Sequence, residues 1–334
     1  MPLGTGTAND IPDLFTQLAT FAQAHGWTKD SSGVNTERLF LHHTASATCY
    51  TSFRWDSGAP QYVGIYHALG YINSSTAPGS HTNDSGQGVI SGTNATIGTG
   101  RHAKLTNAPM PYWFFQSDAN AATHYIHCVA QVADGECVHF GFGAISKVGD
   151  LWTGGEYAYG SAYKATDTHG SAVNSDSSYL LDGLCDSSSG APFRASLHIE
   201  GIPGQAVGKW GVVGNFASAN AGTDRGATAR TKTLGGFRGG AIARAFGRIG
   251  SNNQLGLVPI YPIAAATLTE ADAVIRILGE INDVGGMNIQ AYELGDTMLI
   301  GADTWYVFPT KKKSGDNVTG STYYSGIAYR VALT

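Results

Sequence analysis

Apolar residues recur at helical spacing in one clear stretch of the chain. Ile11, Leu14, Phe15, Leu18, Phe21 and Ala22 form a single stripe with a period of about 3.6 residues. Asp10 stands where an N-cap belongs, Ile11 and Pro12 open the first turn, and Asp13 suits the positive end of the helix dipole. His25 falls in the last turn, and Gly26 is placed to end the helix. The pattern predicts one N-terminal helix of about 15 residues.

After Gly26 the pattern changes to that of strands. Residues 36–44 and 61–71 mix β-branched, aromatic and polar positions between clusters of Gly, Ser and Asn. Residues 73–99 read as a long loop or several short turns. The run Tyr112-Trp113-Phe114-Phe115 precedes the strongest hairpin signal, residues 123–132 returning through 137–142. Asp134-Gly135 between them offers the positive φ angles of a type I′ turn. Residues 165–190 are again turn-like, and 193–199 predict a weak strand.

Strand character resumes at Leu257. Thr269 and Asp272 offer a cap for a short helix over 271–278, but Val274, Ile275 and Ile277 serve a strand as well, and a strand is expected. Residues 296–300, the turn Gly301-Ala302-Asp303 and residues 304–309 predict a second hairpin. Lys311 to Lys313 fall in an exposed loop, and 326–331 form a closing strand. The expected fold is mainly β with an N-terminal α-helix: a β-sandwich or barrel-like body with long Gly/Ser/Asn-rich loops.

Composition agrees with a turn-rich β protein. Glycine takes 45 of 334 positions, nearly double the usual share of about 7%, without the repeat of collagen. An apolar fraction of 42% supplies a sizeable core and argues against wholesale disorder. No stretch approaches the roughly 20 apolar residues of a spanning helix. The opening Met1-Pro2-Leu3-Gly4-Thr5-Gly6 has neither the basic nor the apolar region of a secretory signal.

Charge divides the chain into three parts. Residues 1–208, the helix and a β-rich domain, carry a balance of −8. Residues 209–248 hold seven basic groups and one acidic, a balance of +6, and read as a Gly-rich arm or loop. Residues 249–334, at −3, complete the body. Opposite signs on separate stretches suit docking between copies, or onto another acidic surface. The candidate inter-subunit residues are therefore Arg225, Arg230, Lys232, Arg238, Arg244 and Arg248. Only Phe237 and Phe246 lie near them for base stacking, which ranks nucleic acid below a protein neighbour.

Candidate chemistry is sparse. His124 and His127, like His42 and His43, are spaced to point to opposite faces of a strand. His127 and His139 are able to meet across the hairpin, with no third ligand in view. Cys49, Cys128, Cys137 and Cys185 are too few for a disulfide scaffold, and free buried thiols in a reducing cytoplasm fit best. A Cys128–Cys137 bridge across the hairpin is the alternative. No nucleophile elbow, phosphate loop or zinc-protease helix is present. Asp182 with Asp186 and Asp134 with Glu136 are acids in turns, where acids are ordinary. Trp55, Trp152, Tyr157, Tyr159 and Tyr163 suit either a sugar-binding face or, more often, sheet core.

Both ends of the chain resemble the virion structural proteins of tailed bacteriophages. The resemblance rests on Gly4-Thr5-Gly6-Thr7-Ala8, the helix and Gly26-Trp27-Thr28 at the start. At the end it rests on Leu278 to Ile281, Gly295-Asp296-Thr297, Ile300 to Trp305, Val307 to Pro309 and Gly326 to Arg330. Phe140-Gly141-Phe142 and Gly154 to Tyr157 fit its middle, so about a third of the chain is covered. The resemblance implies a non-enzymatic protein of the neck, collar, tail or baseplate, without a cofactor. Such a protein assembles in the host cytoplasm with copies of itself and other head–tail or tail proteins, and ends in the virion. Two other readings stand beside it: a receptor- or glycan-binding fibre or spike module, and a virion-associated envelope-degrading enzyme.

Overall fold

Asp10 caps the helix as its sequence position requires: its carboxylate accepts from the Asp13 backbone N–H at 2.8 Å. Helix α1 runs Ile11–Gln23, and Gly26 follows it at φ +87°. The computed structural model describes residues 3–30, 37–46, 48–55, 62–73, 76, 81–82, 101–117, 123–149, 152–160, 195–200, 210–214, 230–233, 257–260, 262–265, 275–277, 279–289, 291–309 and 325–331.

Strand β1 (Leu3–Ala8) precedes the helix. After it come β2 (Trp27–Lys29), β3 (Arg38–His43), β4 (Tyr50–Trp55), β5 (Tyr62–Ala68), β6 (Arg101–Lys104), β7 (Met110–Gln116), β8 (Tyr125–Ala133) and β9 (Glu136–Ala144). Next are β10 (Ser146–Lys147), β11 (Thr153–Gly160), β12 (Ala195–Glu200), β13 (Trp210–Gly214), β14 (Arg230–Thr233) and β15 (Val258–Ile260). The chain closes with β16 (Pro262–Ala265), β17 (Ile275–Ile277), β18 (Gly279–Asn288), β19 (Thr297–Ile300), β20 (Asp303–Pro309) and β21 (Ser325–Val331).

These strands form three open sheets. Ten strands pair in the order β1-β7-β8-β9-β11-β12-β13-β14-β16-β17, antiparallel but for β13 with β14. Five pair as β2-β3-β4-β5-β6, and β10-β18-β21-β20-β19 with β15 make the third sheet. None closes on itself, so the body is stacked sheets and the barrel alternative is not what forms.

The ten-stranded sheet is the middle layer. One face, with Phe114, Ile126, Phe140 and Phe142, packs on α1 and on Leu41, Phe53 and Ile65 of the five-stranded sheet. There Phe15 stacks on Trp55 at 4.8 Å and leans on Phe53. The other face, with Phe115, Tyr125, Tyr157 and Tyr159, packs on Ile281, Val284, Phe308 and Tyr329 of the third sheet. This double cover is why the first six residues of β8 are all buried, with no in–out alternation.

The β8–β9 hairpin forms where Asp134-Gly135 predicts it, but not with the turn type expected. Gly135 takes φ +65° while Asp134 stays on the negative side, and the register slips between Gln131 and Ala133. A bulge thus supplies the twist that a type I′ turn would have given. Cys128 pairs in register with Phe140, and Cys137 with Gln131. Cys128 packs toward the helix and Cys137 toward the third sheet, both as free thiols, so the proposed bridge is not made. Residues 275–277 take the strand form. The turn-like stretch 165–190, Lys311 to Lys313, Cys185 and most of 73–99 lie outside the described residues.

Candidate functional site

Of the six basic candidates, Arg230 and Lys232 are placed on β14, where their backbones pair with Val212 and Gly214 of β13. Lys232 also lies opposite Ile263 of β16. Arg225, Arg238, Arg244 and Arg248 lie outside the described residues.

The histidines split across the sheets as their spacing requires. His42 Nδ1 lies 2.7 Å from Asp30 Oδ1, while His43, on the other face, stacks on His124. His127 and His139 share the opposite face of the middle sheet, each beside Tyr329. Two tyrosines, not a ligand, join them. His127 Nδ1 meets the Tyr159 hydroxyl at 2.9 Å, and Tyr159 bonds to Tyr329. The Tyr329 hydroxyl meets His139 Nδ1, and His139 Nε2 meets the Pro309 carbonyl, both at 2.8 Å. Burial pushes His127 down to about 3 and His139 to about 4, so both rings are neutral at pH 7. Among the described residues no group of three or more His, Cys, Asp or Glu is placed to hold a metal.

Tyr157, Tyr159, Trp55 and Trp152 are buried, which makes them core. Tyr163, Asp182 and Asp186 lie outside the described residues. Among the described residues the one buried acid lies outside the pairs that the sequence singles out. Glu156 on β11 accepts from the Thr48 hydroxyl and from His198 Nδ1, each at 2.6 Å. Burial opposes its charge, but these bonds prevail and hold the carboxyl down at about 2. The contact ties the β3–β4 connection to the middle sheet. Asp283 does similar work on the third sheet: at φ +59° it accepts from the Tyr125 hydroxyl and pairs with Arg330.

A pocket lies on the outer face of the five-stranded sheet. The inner residues Leu39, Leu41 and Phe53 enter the core, so Phe40 and Ser52, paired in register, face outward. Both are nevertheless buried, at 3% and 4% exposure, with Tyr71 and His81 packed over Phe40. Gly70 and Thr82 bridge, Tyr71 stacks on His81 at 5.2 Å, and both rings meet Phe40. The space, about 10 Å³ and so room for one water, is lined by Asp30, Phe40, Tyr50, Ser52, Tyr71 and His81 among others. Asp30 Oδ2, Ser52 Oγ and His81 Nε2 are buried there without a hydrogen-bond partner. Such atoms cost about 1–3 kcal/mol each when left unpaired. Burial raises the Asp30 carboxyl against the pull of His42, and burial with Arg38's charge lowers His81. No sequence motif marks this pocket; its only signal is the unexpected burial of the off-core residues of β3 and β4.

No protein-family model matches the chain, and no curated protein matches it.

Proposed function

We propose that this chain is a non-enzymatic structural component of a tailed-phage virion, built into the neck, collar or tail region as a homo-oligomer. The observation that carries the reading is the edge strand β19. Among the described residues it pairs with β20 alone, and it displays Leu299 at 72% exposure and Ile300 at 42%. No proline, lysine or bulge protects that edge, which makes it a template for pairing with another chain. The segments that resemble virion proteins include β1, the edge of the middle sheet, and the two ends of β19, Thr297 and Ile300. Buried free thiols at Cys49, Cys128 and Cys137 suit assembly in the reducing host cytoplasm. Acidic surface on one copy then meets the basic 209–248 segment of the next.

Sedimentation of the purified chain, with mass spectrometry of particles, tests this. A discrete oligomer and a fixed copy number in the particle are expected. A chain that stays monomeric and is missing from particles overturns the reading.

A further inference from the structure

The connection between β3 and β4 is fastened at three points. Thr44 gives the Gly26 carbonyl its backbone N–H at 3.0 Å and its hydroxyl at 2.9 Å. Ala45 donates its backbone N–H to His43 Nδ1 at 3.3 Å. Thr48 donates its hydroxyl to Glu156 Oε1, on the middle sheet, at 2.6 Å. Cys49, the next residue, is wholly buried in the core.

The bond from Ala45 decides where acid acts. A neutral imidazole that accepts at Nδ1 carries its one proton on Nε2, so the second proton must go to Nδ1. That proton takes the lone pair Ala45 uses and leaves two donors facing each other. The ring cannot turn away freely. It is 6% exposed, His124 lies parallel to it at 4.1 Å, and Trp27 meets it edge-on at 5.2 Å.

The groups around the stack do not offset a charge on His43. On β3, His42 lies on the other face, where it meets Asp30. After the helix, His25 Nδ1 is engaged by the Phe21 carbonyl, and Trp27 on β2 carries no charge. From the middle sheet, His124 repels a charged His43. Glu156 on β11 attracts a proton to His124, while Thr48 and His198 of β12 occupy its oxygens. A first proton on His124 therefore makes a second on His43 harder to accept. Burial, then these neighbours, hold the closed His43 ring down to about 4, whereas a ring in water titrates near 6.5.

We propose that the β3–β4 connection is a latch released by acid: protonation of His43 at Nδ1 expels the Ala45 N–H, and Thr48 and Cys49 lift from the middle sheet while the middle and third sheets stay folded. The open form takes a proton that the closed form refuses, so its population rises by up to about tenfold per pH unit as pH falls from about 6.5 toward 4. The latch stands apart from the assembly reading, because neither β19 nor the basic segment contributes to it.

Cys49 reports the release. The full-length chain is treated with 4,4′-dithiodipyridine, which modifies thiols in acid as well as at neutral pH, and peptide masses locate each modified cysteine. Rates at pH 7 and pH 5 are divided by those of the urea-unfolded chain at the same pH, which removes the reagent's own pH dependence. The corrected Cys49 rate is expected to rise at least about tenfold from pH 7 to pH 5, while Cys128 and Cys137 stay unmodified. His43→Phe keeps a ring in the stack but has no proton to gain, so its Cys49 rate is flat between the two pH values. His124→Phe keeps the Ala45 bond and removes the facing charge. Its rise is smaller than that of wild type, which gives a second reading if His43→Phe folds poorly. The proposal is overturned if wild-type Cys49 is no more reactive at pH 5 than at pH 7, or if Cys49, Cys128 and Cys137 become reactive together. It is equally overturned if either variant shows the full wild-type rise. Sedimentation at the two pH values reports separately on assembly.

Discussion

His43 and His124 stack face to face, ring centroids 4.1 Å apart and planes 7° from parallel, across the boundary between the five-stranded and ten-stranded sheets. Trp27 meets both rings edge-on. Burial, then the charge of His124 and that of His42, hold His43 down to about 4; burial also lowers His124, against the pull of Glu156. An unfolded histidine titrates near 6.5. Below that pH the unfolded chain binds protons that the folded chain refuses. Stability is therefore full above about pH 6.5 and falls as pH drops toward 4, by up to about 1.4 kcal/mol per pH unit for each such histidine. Urea midpoints measured from pH 8 to pH 4 should show this fall. His124→Phe keeps the stacked ring and removes one titrating group, so its profile is shallower; an identical profile contradicts the account.

The tyrosine pair between His127 and His139 makes a second prediction. The Pro309 carbonyl is able only to accept, so His139 carries its proton on Nε2, and its Nδ1 accepts from the Tyr329 hydroxyl. Tyr329→Phe leaves His139 Nδ1 unpaired in a dry core, while the Tyr159 hydroxyl keeps His127 Nδ1. The expected cost is about 1–3 kcal/mol for each stranded group, read from the denaturation midpoint. Tyr159→Phe strands His127 Nδ1 in the same way while Tyr329 keeps His139, and a comparable loss is expected.

Two glycines of one hairpin separate backbone strain from steric clash. Gly135, in the turn at φ +65°, has open space where a Cβ would stand. Gly143, at φ +140°, would place a Cβ 2.3 Å from the His124 carbonyl oxygen and 2.4 Å from Tyr125 Cα. Gly135→Ala meets only the left-handed penalty, about 1–2 kcal/mol, and Gly135→Asn less. Gly143→Ala forces β8 and β9 apart, and soluble expression is expected to fail. Comparing the yield and melting midpoint of the three variants checks the ordering.

The legible parts of this fold are those whose signal is local. Asp10 to Gly26 carries a cap, a stripe and a stop within one helix, and Asp134-Gly135 marks its hairpin whatever the turn type. Strand β1 was invisible because Gly4-Thr5-Gly6-Thr7 has no apolar alternation; it is held by a six-residue register against Met110 to Phe115. Cys128 and Cys137 stay apart because the hairpin register sets Cys128 against Phe140 and Cys137 against Gln131, three residues further along β8. Glu156 looked like an ordinary strand acid until Thr48 and His198, 108 and 42 residues away, closed on it. The pocket was hidden for the same reason: Asp30, Ser52 and His81 come from separate stretches, and the bridge of Gly70 with Thr82 brings His81 over β3 and β4.

Edge strand β19 gives the sharpest test of assembly. Charged residues on an edge strand are a common device against pairing with another chain, and Thr297-Met298-Leu299-Ile300 has none. The double variant Leu299→Lys with Ile300→Lys adds that device at two exposed positions. Surface changes of this kind shift folding stability by only about 0.5 kcal/mol, so a lost oligomer is not an unfolded one. Sedimentation is expected to show a smaller species with an unchanged circular-dichroism spectrum and melting midpoint. Ile72→Lys, at a similarly exposed apolar residue far along the chain from β19, serves as the control and should assemble as wild type. If the double lysine variant assembles equally well, β19 is not where copies meet, and the contact must be sought on β1 or the basic segment.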